Sequence, residues 1–294
     1  MTNKSIEQIY QTNNYQQFTF DNINRKLNTG RVAKLMKDYQ VRNIISPIEV
    51  MKNKQGKYVI LDGQHRFEAW KNLGLPITYF ETISGDDSTQ GLRQRNLGQA
   101  WSTMDIVNSF ACDQRYPKVQ KQYQELEELI QYVRDTLGPV PYVPVIELAT
   151  GINRALDQQV VYAHHDFRDG KYTTKNRQEF MDIINSISIV QSRLTEPIKL
   201  TASMFRTLFT MAAVKDFNAA FLAISINKNR AKFDEISAHT NDKDVSKAMF
   251  SFYNRSAELQ QAHQPTLSWH MGVKGIHIDD SLLRDVFLAN EKIA

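Results

Sequence analysis

A strand, a turn and a helix follow one another between Lys57 and Phe80, and this stretch constrains the fold more than any other. The run from Tyr58 to Leu61 is β-branched and aromatic, and it is long enough for a buried strand. Asp62 and Gly63 break that run, after which apolar residues recur at helical spacing until Gly74. The sequence therefore predicts a strand-turn-helix unit whose turn lies at the start of the helix.

The turn between this strand and helix carries Gly63, Gln64, His65 and Arg66. The first turn of a helix exposes unpaired backbone N–H groups and the positive end of the helix dipole, so it favours an anion such as phosphate. A glycine lets the backbone approach a ligand closely, and an arginine fork suits phosphate oxygens. In the other reading, Arg66 pairs with a surface carboxylate and His65 only caps the turn. The residue types alone give the two readings similar weight.

The composition indicates a globular chain without a membrane segment. Hydrophobic residues make up 41% of the 294 positions and charged residues 23%, and this length allows two ordinary domains. The sequence has no apolar run of membrane-spanning length and no secretory leader, so we expect no membrane partner and a cytoplasmic location. Cys112 is the only cysteine, which excludes an intramolecular disulfide. The formal charge of +4 permits nucleic-acid binding without requiring it.

The segments around the central unit predict a small sheet. Residues 1–17 are polar and rich in Asn and Gln, and we predict that they form a flexible arm. Phe18 to Phe20 predicts a short edge strand, and Ile44 to Met51 predicts another strand that Pro47 places at a sheet edge or a strand start. Asn53 to Gly56 predicts a turn that joins this strand to the next one in a hairpin.

Basic residues cluster near the N-terminus, around position 94 and around position 230. A solvated helix surface is one explanation, and a surface that faces nucleic-acid phosphates is the other. We favour the second slightly for the N-terminal cluster, because only Asp38 offsets its charge. The candidate DNA contacts are Arg25, Lys26, Arg31, Lys34, Arg42, Arg93, Arg95, Lys228, Arg230 and Lys232.

Beyond about Phe110 the pattern is almost wholly helical. Leu200 to Ile226 is hydrophobic nearly all round, so we predict a helix at the centre of a helical domain. His263, His270 and His277 recur every seven residues, but the proline and glycines between them exclude one continuous helix. We therefore predict no metal site.

The order of elements over residues 18–112 resembles the N-terminal domain of the ParB/sulfiredoxin superfamily, in its mobile-element type. The signature of that superfamily is matched by Gly63, His65, Arg66 and Ala69. The resemblance implies an α+β chain with a mixed-sheet nucleotide-binding domain at 18–112 and a mostly α-helical domain at 113–294.

In ParB proteins the signature cradles the triphosphate of CTP, and a later segment with an asparagine helps to hold the phosphates and Mg²⁺. The resemblance therefore implies CTP or ATP as ligand, with or without Mg²⁺. The implied nucleotide contacts are Asp62, Gly63, Gln64, His65, Arg66 and Asn96.

The sequence departs from the family pattern at two places. Arg95 stands where ParB proteins carry a glutamate, which weakens the expectation of metal-dependent CTP hydrolysis. Gln64 stands where sulfiredoxins carry a cysteine, which excludes their sulfinic-acid chemistry. Free serine kinases of the same fold carry Asp-Gly-His-His-Arg, which differs from Asp62–Arg66 at one position and keeps a phosphotransferase open.

The leading functional hypothesis is a ParB-like, nucleotide-responsive DNA-binding protein of a plasmid, phage or integrated element, acting as a homodimer. The first alternative is an enzyme that uses the same pocket, either a phosphotransferase or a ParB-like nuclease. The second alternative is a DNA-binding or protein-binding platform whose pocket has lost its nucleotide.

Overall fold

The structure is a computed structural model that describes residues 8–24, 26–41, 46–82, 101–156, 167–256, 260–273 and 275–286. The chain divides into two compact units, Met1–Lys121 and Gln122–Ala294, which we call the N-terminal and C-terminal units. The described residues combine many helices with a five-stranded mixed sheet, in agreement with the predicted mixture of α and β structure. Within these ranges, each helix is too short or too polar to cross a bilayer.

A five-stranded sheet forms the centre of the N-terminal unit. Its strands are β1 (Ile9–Thr12), β2 (Phe18–Phe20), β3 (Ile48–Lys52), β4 (Tyr58–Asp62) and β5 (Ile77–Glu81). They lie in the order β1-β5-β3-β4-β2. β3 is antiparallel to β4 and parallel to β5, β2 is parallel to β4, and β1 is antiparallel to β5.

Several local predictions in this unit are confirmed. Phe18–Phe20 forms an edge strand, and β3 begins directly after Pro47. Asn53 closes the hairpin between β3 and β4, since its N–H donates to the carbonyl oxygen of Lys57 at 2.8 Å. Asn53 Oδ1 also accepts from the N–H of Lys57 at 2.9 Å. The main chain and the side chain of Asn53 therefore both form hydrogen bonds that close the turn.

Strand β1 corrects the prediction that residues 1–17 form a flexible arm, because part of that arm lies in the sheet. Tyr10 is the register partner of Tyr79 on β5, and the two rings stack with centroids 5.4 Å apart. Tyr15 holds the next residues, since its hydroxyl donates to the carbonyl oxygen of Leu75 at 3.0 Å. Polar composition favoured an arm, but pairing with β5 satisfies the backbone of β1 and buries one side of the Tyr10 ring.

Helices α1 (Thr29–Val41), α2 (Gln64–Leu73) and α3 (Thr103–Cys112) belong to the same unit. α1 packs against α2, and α2 packs against β3 and β5. Gly74 ends α2 in the left-handed region at φ 67°, as the sequence predicts. The core between sheet and helices consists of Phe18, Ile48, Val50, Ile60, Phe67, Trp70, Ile77 and Tyr79. This core fixes the end of β4 and the start of α2, between which the predicted phosphate turn lies.

The remaining helices build most of the C-terminal half of the chain. They are α4 (Pro117–Leu137), α5 (Tyr142–Ala149), α6 (Arg177–Ser192), α7 (Ala202–Ala213), α8 (Ala219–Lys228), α9 (Arg230–Ser237) and α10 (Asp242–Asn254). α7 is almost wholly buried and packs against α5, α6 and α10, so the predicted central helix is confirmed over that span. A short hairpin of β6 (His270–Met271) and β7 (Ile276–His277) follows α10.

The single helix predicted over Leu200 to Ile226 is wrong, because the chain breaks between α7 and α8. Asn218 caps α8, since its Oδ1 accepts from the N–H groups of Ala220 and Phe221 at 3.1 and 3.3 Å. At the end of α7, the carbonyl oxygen of Ala213 accepts from the N–H of Arg284 at 3.0 Å. A capping side chain and a tertiary backbone partner therefore offset the helical hydrogen bonds that the break removes.

Candidate functional site

The turn from Asp62 to Arg66 begins α2, and Gly63 is the residue that this turn requires. Gly63 is the N-cap at φ 99°, a conformation that favours glycine over residues with a side chain. A Cβ atom there would lie 2.9 Å from the Cβ of Ile48 and 3.0 Å from a terminal nitrogen of Arg66. Ile48 is fully buried, so this crowding cannot be relieved by moving a surface side chain. The glycine thus sets both the backbone turn and the distance between α2 and β3.

A cleft of about 230 Å³ opens at this helix start. It brings together five of the six residues predicted as nucleotide contacts, Asp62, Gly63, Gln64, His65 and Arg66, with Arg31, Leu35 and Ser46. The N-cap residue is a glycine, so it offers no side chain to bond the first turn of α2. The cleft therefore joins the positive end of a helix dipole to two arginines and one carboxylate.

Arg66 makes several polar contacts at the cleft. Its Nη2 lies 2.6 Å from Oδ2 of Asp62, and its Nη1 donates to the carbonyl oxygens of Ser46 and Pro47 at 2.9 and 3.0 Å. The Ser46 hydroxyl accepts from the same nitrogen at 2.5 Å. The carboxylate pairing considered from the sequence is thus confirmed, with Asp62 as the partner. Arg66 also connects the start of α2 to the chain entering β3.

His65 links the start of α2 to the start of α1. Its Nε2 accepts from the backbone N–H of Asn28 at 3.0 Å. Asn28 in turn caps α1, since its Oδ1 accepts from the N–H of Arg31 at 3.0 Å. His65 is 8% exposed. The beginnings of both helices are therefore held side by side at the cleft.

Arg31 is a cleft residue that the sequence reading assigned to a DNA surface. It lies in the first turn of α1, and with Arg66 it gives the cleft two positive side chains against the single carboxylate of Asp62. Burial raises the pKa of Tyr39 on α1, and the positive charge of Arg66 offsets part of that rise. Arg31 reaches the cleft because α1 packs against α2. The separation of Arg31 and Arg66 in the sequence does not predict this proximity.

The size and lining of the cleft define what it can bind. Sites for drug-sized ligands occupy about 300–1,000 Å³, so the described walls suit a phosphoryl group better than a whole nucleoside. The hydroxyl of Ser46 and the carboxylate of Asp62 are oxygen ligands of the kind that Mg²⁺ prefers. The arrangement can therefore hold an anion through arginines and backbone N–H groups, with a metal ion beside the carboxylate.

Other predicted contacts fall outside the cleft or outside the described residues. Lys26 and Lys34 are exposed. Five predicted contacts lie outside the described residues: Asn96 among the nucleotide contacts, and Arg25, Arg42, Arg93 and Arg95 among the DNA contacts.

The basic run at 228–232 belongs to the C-terminal unit, and its central arginine is engaged in the fold. Arg230 Nε lies 2.8 Å from Oδ1 of Asp234, and Nη1 donates to the carbonyl oxygen of Glu196 at 2.8 Å. Its guanidinium also lies over the ring of Phe233. Lys228 ends α8 and Lys232 is exposed on α9. Arg230 therefore stabilises the start of α9 in addition to any contact that it makes with a ligand.

A comparison of the chain with models of known protein families gives no match, and a comparison with curated proteins gives none either.

Proposed function

We propose that this chain is a ParB-like, nucleotide-responsive DNA-binding protein whose N-terminal unit binds the phosphates of CTP or ATP. The observation that carries the proposal is the cleft at the glycine start of α2, where Gly63, Arg31 and Arg66 meet. A helix start of this kind attracts phosphate through its N–H groups and dipole, and the arginines add charge-assisted hydrogen bonds. The resemblance of the 62–66 motif to the superfamily signature supports the same ligand.

The fit of a phosphate to this cleft involves an exchange of partners at Arg66. A phosphate oxygen and Asp62 would compete for Nη2 of Arg66, because that nitrogen already donates to the carboxylate at 2.6 Å. Mg²⁺ bound by Asp62 would remove this competition and would neutralise part of the phosphate charge. The proposed ligand is therefore a magnesium-nucleotide complex rather than the free nucleotide.

DNA binding is proposed for exposed basic residues of both units. Lys26 and Lys34 extend from the segment around α1, and Lys228 with Lys232 extends from the segment around α8 and α9. Such side chains contact backbone phosphates and make affinity depend on salt. We further propose a cytoplasmic homodimer encoded by a plasmid, phage or integrated element, in which the nucleotide shifts the population between states of different DNA affinity.

A phosphotransferase is the second candidate, and the position of Asp62 favours it. This carboxylate lines the same cleft as the two arginines, which is where an acid would assist phosphoryl transfer. Product analysis with labelled nucleotide separates the two candidates, because only an enzyme transfers or releases phosphate at a catalytic rate.

Calorimetry with CTP, ATP and ADP, with and without Mg²⁺, tests the proposal. Arg66→Ala is expected to abolish nucleotide binding, whereas Lys71→Ala on the same helix is the matched control. Lys71 is 49% exposed and makes only a 3.9 Å ion pair with Glu68, so its removal should leave binding unchanged. Equal binding by the Arg66 variant and the parent, or no nucleotide binding by the parent, would overturn the assignment of this cleft.

A further inference from the structure

Two histidines face each other across the hairpin of the C-terminal unit. His270 on β6 is the register partner of His277 on β7, and their ring centroids are 4.6 Å apart with 42° between the ring planes. Both side chains are exposed. They are seven positions apart in the sequence. That spacing does not predict a contact on a helix, because the glycines between them interrupt any helix. The antiparallel pairing is what makes them neighbours.

Two contacts anchor the hairpin to the rest of its unit. Ile276 is fully buried and its N–H donates to the carbonyl oxygen of Ala155 at 3.0 Å. Gly275 permits this approach, since a Cβ atom there would lie 2.5 Å from the same carbonyl oxygen. At the tip, Nζ of Lys243 donates to the carbonyl oxygen of Val273 at 3.1 Å. The described parts of the hairpin are therefore anchored at β7 and at Val273.

The separation of the ring centroids is close to that of two imidazoles bound to one metal ion. Zn–N bonds of about 2.0–2.1 Å at a tetrahedral angle place the two ring centroids about 5 Å apart. The observed 4.6 Å comes within side-chain adjustment of that value. Two ligands on an anchored backbone lose mainly side-chain freedom on binding, which favours chelation.

We propose that His270 and His277 form a two-histidine site for a divalent transition-metal ion such as Zn²⁺, Ni²⁺ or Cu²⁺. Imidazole is a preferred ligand of these metals. The pair supplies two protein ligands, and no group of three potential metal ligands occurs within the described residues. Water would occupy coordination positions that the protein does not fill. The site is open and exchangeable, in contrast to a closed structural zinc site with four protein ligands.

An acidic side chain follows the pair closely in the chain. Asp279 and Asp280 follow His277 directly after one buried residue, Ile278. The Asp279 carboxylate is held in place, because its Oδ1 accepts from the N–H and the hydroxyl of Ser281 at 2.9 and 2.7 Å. The fixed negative charge of Asp279 raises the local concentration of cations at this end of the hairpin.

Titration calorimetry of the tag-free full-length chain with ZnCl₂, after removal of metal with EDTA, tests the site. We expect one Zn²⁺ per chain, and at least a tenfold loss of affinity in His270→Gln and in His277→Gln. His239→Gln is the matched control, since His239 is an exposed histidine of the same unit outside the pair, and its affinity should equal that of the parent. Mg²⁺ without nucleotide should give no comparable binding, because it prefers oxygen ligands.

Thermal unfolding gives a second readout that does not depend on the heat of binding. A ligand that binds only the folded state raises Tm, so Zn²⁺ should raise the Tm of the parent and leave that of the His270→Gln/His277→Gln double variant unchanged. Both side chains are exposed, and the double variant without metal should therefore unfold at the temperature of the parent. A parent that takes up no Zn²⁺, or a double variant that binds it as tightly as the parent, would overturn the proposal.

Discussion

Arg66 and Asp62 form an ion pair of 2.6 Å inside the cleft that we assign to phosphate. The pair spans one turn at the junction of β4 and α2, with 20% of the arginine side chain and 31% of the carboxylate side chain exposed. Arg66 thus lines the cleft and also donates hydrogen bonds to the carbonyl oxygens of Ser46 and Pro47. Any anion that enters the cleft meets an arginine that already has a negative partner.

The first prediction concerns this competition. Asp62→Asn should tighten the binding of inorganic phosphate or nucleotide in the absence of Mg²⁺, because it removes the competing negative charge while keeping a hydrogen-bond acceptor. The pair is partly exposed, so the gain should be about 1 kcal/mol, or about fivefold in affinity. The same variant should lose the enhancement of nucleotide binding by Mg²⁺, because the proposed metal ligand is gone.

Calorimetry of the parent and of Asp62→Asn with and without Mg²⁺ measures both effects. Asp105→Asn is a suitable control, since that carboxylate caps α3 and does not line the cleft. Weaker metal-free binding by the Asp62 variant would show that Asp62 supports the anion rather than competing with it.

The second prediction concerns the backbone of the turn. Gly63→Ala should lower the free energy of unfolding by about 3 kcal/mol, because it adds strain at a positive φ to a clash with the buried Ile48. Gly56→Ala is the control, since Gly56 has a φ of 79° but nothing within 4 Å of its Cβ position. That control should cost about 1 kcal/mol, the strain alone. Urea denaturation measures both, and equal losses would contradict the role of crowding at Gly63.

Local chemistry explains which parts of the fold the sequence revealed. The hairpin turn at Asn53 and the helix end at Gly74 follow from residues that satisfy or permit one local backbone conformation. The start of α2 at Gly63 follows from the same logic. These features were accessible because their physical cause lies within a few residues of the feature itself.

Contacts between distant segments explain the rest. β1 was taken for an arm because its partner is β5, which is remote in sequence. Arg31 was assigned to a DNA surface because it lies in a basic cluster of the sequence. Its place in the cleft depends on the packing of α1 on α2, which the sequence does not show. The pairing of His270 with His277 was hidden for the same reason, since it depends on a hairpin rather than on helical periodicity.

The third prediction concerns a buried ion network in the C-terminal unit. Glu147 is 4% exposed, and its Oε1 lies 2.7 Å from Nη2 of Arg154 while its Oε2 lies 2.7 Å from Nη2 of Arg206. Arg206 also contacts Asp242 at 3.3 Å, so the two arginines are balanced by two carboxylates. Glu147→Ala should destabilise the chain by about 3–5 kcal/mol, because the buried Arg206 then keeps only Asp242 of these two carboxylate partners.

Glu128→Ala provides the comparison for this network. Glu128 makes an ion pair of 2.8 Å with Arg177, but 62% of its side chain is exposed, and surface pairs contribute less than about 1 kcal/mol. Urea denaturation should therefore show a much larger loss in the free energy of unfolding for Glu147→Ala than for Glu128→Ala, although the two ion-pair distances are similar. A loss below about 1 kcal/mol in both would show that Arg206 finds another partner or becomes hydrated.

The fourth prediction tests the proposed DNA surface through its dependence on salt. Each lysine that contacts a backbone phosphate adds about 0.9 to the magnitude of the slope of log K against log salt concentration. Lys34→Gln should therefore reduce that slope by about 0.9 and weaken binding to all DNA sequences alike, because a phosphate contact does not read bases. Lys171→Gln replaces an exposed lysine outside the proposed surface and should leave the slope unchanged. Fluorescence anisotropy with a labelled duplex at several salt concentrations measures both variants. An unchanged slope in Lys34→Gln would show that Lys34 does not contact the DNA backbone.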